Sequence, residues 1–131
     1  MEFHRGRLVD HVHLHARDLK ATQRFYAALL DVLEIPYVSD DWHFNADELW
    51  IDAGKQGSSV HLAFQAKDRA TVERVYQAGL AAGGRDNGAS GERKYHPGYF
   101  AAYLLDPDGN NIEAVYHGPA TRSADSVVVR A

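Results

Sequence analysis

At 131 residues, 45% of them hydrophobic and 24% charged, the chain has the length and composition of one domain with its own core. A net charge of -4 argues against a nucleic-acid binder, and the absence of cysteine leaves no disulfide, thiolate nucleophile or thiolate metal site. No apolar run approaches the roughly 20 residues that span a bilayer, and the charged start "MEFHRGRLVDHVH" is unlike a signal peptide, so a soluble cytoplasmic protein is expected, with no membrane partner.

The first predicted strand is "LVDHVHLHA", in which His11, His13 and His15 alternate and so share one face. Asp18 stands at the N-cap of a helix whose apolar residues Phe25, Leu29 and Val32 recur at helical spacing. Pro36 in "EIP" ends that helix, because its ring disfavours a helical residue before it. Strand-like "PYVSD", "HFNA" and "ELWIDAG" follow, with Trp42, Phe44 and Trp50 expected as core or as cleft wall.

The chain then repeats itself. Laid over one another at an offset of fifty, "HVHLHARDLKATQRFYAALL" and "HLAFQAKDRATVERVYQAGL" agree at His11/His61, Ala16/Ala66, Asp18/Asp68, Arg24/Arg74, Tyr26/Tyr76, Ala28/Ala78 and Leu30/Leu80. Only about one or two such matches are expected by chance at ordinary residue frequencies, so the repeat is real. Tyr26 and Tyr76, matched on the helices, read as scaffold. The second helix stops at Gly83 and Gly84, and a weak strand "GGRDNG" follows. "GYFAAYLLD" and "NIEAVYH" then flank Asp106-Pro107-Asp108-Gly109, a strong hairpin signal. The expected domain 1–131 is thus two βαβββ modules, about 7–56 and 57–118, with a tail 119–131. In that tail Val127, Val128 and Val129 are either loose or paired with a partner chain.

Equivalent modules packed about a pseudo-twofold axis bring His11 and His61 together. The acidic partner expected for them is Glu113, a carboxylate in an apolar strand, costly to bury unless it is paired or binds a metal. Two imidazoles and one carboxylate suit Fe(II), Mn(II), Zn(II) or Ni(II) and leave coordination positions open. His13 and His15 are expected as pocket lining or as proton-transfer groups. Tyr103, in the strand before the hairpin turn, is either a substrate-orienting phenol or a core residue. Arg93, Lys94 and His96 lie in the loop "GERKYHPGY", either a solvated turn or a place for an anionic substrate group.

Together "LVDHVHLHARDL", "HLAFQAKD" and "YLLDPDGNNIEAVYH" resemble the vicinal oxygen chelate superfamily, which includes glyoxalase I, extradiol dioxygenases, fosfomycin-resistance enzymes and bleomycin-resistance proteins. The likeness covers about residues 8–118. It implies an α+β fold in which the tandem modules form an open, curved mixed-sheet cleft. It also implies a divalent metal ion held by His11, His61 and Glu113, a small-molecule substrate and a homodimer. Glyoxalase I-type sites use a fourth ligand from module one, where Trp50 stands opposite Glu113 in a plain alignment and Glu48 or Asp52 only after a slip of two. A dioxygenase-like or fosfomycin-type enzyme is therefore the expected function. The alternatives are a glyoxalase I-like lyase and a metal-free small-molecule-binding protein of the bleomycin-resistance type.

Overall fold

The computed structural model describes residues 2–130; the first and last residues of the expected domain lie outside the described residues. Along the chain run β1 (Glu2–Arg5), β2 (Val12–Ala16), α1 (Leu19–Leu33), β3 (Val38–Ser39), β4 (His43–Ala46) and β5 (Leu49–Ala53). Then come β6 (His61–Gln65), α2 (Arg69–Ala81), β7 (Arg85–Glu92), β8 (Phe100–Leu105), β9 (Asn111–Tyr116) and β10 (Val127–Arg130). Apart from β1 and β10, this is the βαβββ unit twice over. Among the described residues no helix is long and apolar enough to cross a membrane.

The two four-stranded sheets have the same order, β2-β5-β4-β3 and β6-β9-β8-β7. In each, the module's first strand pairs parallel with its last, His13 beside Trp50 and Ala63 beside Glu113. Parallel partners cannot be joined by a tight turn, and each helix lies on the connection between them. Both helices start where the repeat places their caps. The Asp18 carboxylate accepts from Ala21 N at 3.1 Å and that of Asp68 from Thr71 N at 2.7 Å.

Alternation sorts each strand into two faces. In β2, Leu14 and Ala16 are buried in the core with Phe25, Tyr26, Leu29 and Leu30 of α1, while His13 and His15 are exposed on the other face. Phe44 and Ile51 join the same core, as do Leu104, Ile112 and Ala114 from the second sheet. The helices thus cover the apolar faces, and the polar faces are left free for chemistry.

Asp106 ties the modules together. This carboxylate, 1% exposed, accepts from Asp108 N, Asn110 N and Asn110 Nδ2 within its own hairpin, and from the Tyr26 hydroxyl of α1 at 2.6 Å. Gly109 closes the turn at φ +86°, a conformation costly for residues with a Cβ. The segment leading into β6 also runs against β2: His15 N donates to Ser58 Oγ at 2.9 Å, and Ser58 N donates to His15 O at 3.0 Å.

The tail departs from expectation. Instead of lying loose, Val127, Val128 and Val129 pair antiparallel with Arg5, His4 and Phe3 of the same chain. The start of the chain, read only for its charges, supplies that partner strand. Trp42 is 60% exposed rather than core, whereas Phe44 is fully buried as expected.

Candidate functional site

Histidine and carboxylate side chains gather on the helix-free face of each sheet, in two clusters. In module two the register sets Ala63, Glu113 and Tyr103 in one row across β6, β9 and β8. Glu113 is only 3% exposed, yet both its oxygens are engaged: Oε1 meets His61 Nε2 at 2.8 Å, and Oε2 accepts from the Tyr99 hydroxyl. A buried carboxylate left without such partners would be strongly destabilising. Tyr99, at the entry to β8, shares the face of Tyr103 two steps on, and the Tyr103 ring lies 6.2 Å from that of His61.

Both phenols are raised above the ordinary 10.0. Burial is the largest cause, followed for Tyr99 by its hydrogen bond to Glu113 and for Tyr103 by the Glu113 charge. Each therefore stays protonated at neutral pH and acts as a hydrogen-bond donor. Arg93 lies over Tyr103, its guanidinium carbon 5.2 Å from the ring centre. Its Nη2 donates to Ala89 O, while its Nε is buried without a partner.

In module one the corresponding rows are His13–Trp50–Asn45 and His15–Asp52–His43 across β2, β5 and β4. Asp52 Oδ1 meets His13 Nε2 at 2.8 Å and His15 Nδ1 at 3.1 Å, and Trp50 Nε1 donates to Asp52 Oδ2 at 3.4 Å. Burial pushes the Asp52 carboxyl up, but the His13 hydrogen bond, the Trp50 N–H and the two histidines together hold it below the ordinary 3.8. His43 is closed off, with Nδ1 on Asp40 and Nε2 on Asn45.

The expected trio is only partly assembled within the chain. His61 and Glu113 are in contact. His11, one residue ahead of β2, is exposed and turns its Nδ1 to Asp10 Oδ1 at 2.7 Å. Among the described residues, the set of three such side chains with donor atoms within 4.8 Å of one another is His13, His15 and Asp52. The reason is register. His11 lies outside the paired part of β2, so nothing in the sheet aims its ring at module two. Trp50 does occupy the place in module one that Glu113 holds in module two, and Asp52 sits two residues further along, facing His15.

Neighbouring donors on one first-row cation, bound at about 2.0–2.2 Å, are about 3 Å apart. The 2.8 Å between His61 Nε2 and Glu113 Oε1 fits two corners of such a centre. Sequence reasoning passed over Tyr99, which lies just outside its strand. The signal that would have found it is its i, i+4 relation to Tyr103 on the same face.

A sequence model of the family described as "Glyoxalase-like domain" matches residues 11–115. The chain belongs to this family. A glyoxalase/bleomycin resistance protein from Albidiferax ferrireducens is 30% identical, with 82% of this chain and 97% of that one covered and a TM-score of 0.70. A glyoxalase-related enzyme from Fulvimarina pelagi is 21% identical over 96% and 99% of the two chains, with a TM-score of 0.69. A lactoylglutathione lyase from Agrobacterium tumefaciens is 20% identical over 84% and 93%, with a TM-score of 0.60. The last two show the glyoxalase-like fold alone. No curated protein sequence matches the chain.

Proposed function

We propose that this glyoxalase-like chain is a divalent-metal-dependent enzyme acting on a small oxygen-bearing molecule, with a dioxygenase-like or fosfomycin-resistance-type centre. The observation that carries the reading is Glu113, a carboxylate buried on an apolar strand and clasped by an imidazole and a phenol. His61 and Glu113 would hold the cation, with His11 as the proposed third ligand. When bound, Fe(II), Mn(II), Zn(II) or Ni(II) supplies Lewis-acid stabilisation of negative charge on oxygen, with positions left for substrate.

The chain's own residues do the rest. Tyr99 fixes the rotamer of Glu113 from the side away from His61. Tyr103, protonated and on the same face, donates a hydrogen bond to a substrate oxygen as charge develops there. Arg93, with its unpartnered Nε beside Tyr103, holds an anionic substituent. The lyase alternative is disfavoured by Trp50, which offers no ligand in the place that mirrors Glu113. The exposed valines of β10 and the open polar faces support a homodimer as the working assembly.

The test is reconstitution of metal-free protein with each of the four cations, followed by oxygen uptake with catechols and turnover of a hemithioacetal. Activity with one cation, lost in Glu113→Gln and His61→Ala, is the expected result. Tight binding of a small molecule by metal-free protein, unchanged in Glu113→Gln, would instead establish the bleomycin-resistance-type binder.

A further inference from the structure

The cluster in module one is not needed by the centre at Glu113, yet its donors converge more completely. His13 and His15, two residues apart on β2, point the same way and bring their ring centres to 4.5 Å. Between them Asp52 presents one oxygen, Oδ1, at 2.8 Å from His13 Nε2 and 3.1 Å from His15 Nδ1. Those are the separations of adjacent ligands on one cation with bonds of about 2.1 Å, roughly 3.0 Å in an octahedron and 3.4 Å in a tetrahedron.

The neighbours hold this arrangement in place. The backbone of His15 is pinned by Ser58 on both its N–H and its carbonyl. Gly54 passes so close that a Cβ there would lie 2.9 Å from His15 Cβ and 3.2 Å from its Nδ1. The Trp50 indole holds the second oxygen of Asp52. Metal-ligating side chains characteristically have such outer partners.

We propose that His13, His15 and Asp52 form a second cation site, taking one Zn(II), Ni(II) or Co(II) ion on module one, distinct from the centre at His61 and Glu113. Two imidazoles with a single carboxylate favour these borderline ions over Mg(II) or Ca(II), which prefer all-oxygen sets. The open side of the cluster faces solvent, so water or a ligand completes the coordination.

The experiment counts cations. Full-length protein stripped with a chelator is titrated calorimetrically with Zn(II), as wild type, Asp52→Asn, His13→Ala and Glu113→Gln. Two equivalents are expected for wild type. Asp52→Asn and His13→Ala each weaken one site by more than about a hundredfold, beyond the roughly 10–100-fold loss typical of removing an outer partner, and leave the other intact. In Glu113→Gln the remaining equivalent is the module-one site, and Co(II) shifts and broadens the ring resonances of His13 and His15. Asp52→Asn keeps shape and one oxygen, and circular dichroism checks its fold. A Glu113→Gln chain that binds no cation overturns the second site while leaving the centre at Glu113 standing. So does an affinity unchanged by both Asp52→Asn and His13→Ala. A wild type that binds a single equivalent, unaffected by Glu113→Gln and weakened by Asp52→Asn, would instead count against the proposed function and not against this site.

Discussion

Tyr26 and Tyr76 occupy matching places in the two helices, yet their hydroxyls have different partners. Tyr26 reaches into the other module and donates to buried Asp106, whereas Tyr76 donates to Asp86 in its own module at 2.9 Å. Matching the two tyrosines across the repeat identified them as scaffold. It could not show that one of them links the modules, because that depends on how the modules pack. Tyr26→Phe removes a hydrogen bond to a buried carboxylate, expected to cost about 1.5–3 kcal/mol of stability. Tyr76→Phe, at a partly exposed bond, is expected to cost less than about 1 kcal/mol. Denaturant unfolding of the two variants compares them directly.

The elements show where local sequence decides and where it does not. Both helix starts were legible, since an aspartate cap acts through its own side chain and the next few backbone groups. The end of α1 is less so. Pro36 marks the region, but the stop itself is made at Glu34, a non-glycine residue at φ 60° and ψ 36°. Ile35 N donates to Leu30 O at 3.0 Å, the six-to-one closure of a left-handed helix end. Glycine reaches that conformation without the Cβ penalty, so Glu34→Gly is expected to raise stability by about 0.5–1 kcal/mol. A lower melting temperature for that variant would contradict the assignment of the cap.

At the scale of the molecule, the duplicated phrase and the D-P-D-G-N hairpin made the paired modules legible before any coordinates. Both are contiguous signals, and both reappear as equal sheet orders. What escaped depends on contacts distant in sequence. The β1–β10 ribbon joins Glu2–Arg5 to Val127–Arg130, two segments too short and too far apart to announce each other. The grouping of His13, His15 and Asp52 needed the register of β2 on β5, which puts Asp52 opposite His15 rather than His11. The pairing of His61 with Glu113 was readable because each sits at a distinctive place in its module. His11 carried the same sequence signal but lies just beyond the strand that would aim it.

The central claim is that Glu113 is buried in order to help hold a divalent cation. Anomalous diffraction from crystals grown with Mn(II) tests it most directly. The account predicts a peak within about 2.3 Å of both His61 Nε2 and a Glu113 oxygen, absent from crystals of Glu113→Gln. Well-ordered crystals with no peak beside Glu113, and the His61–Glu113 hydrogen bond intact at saturating metal, would contradict it.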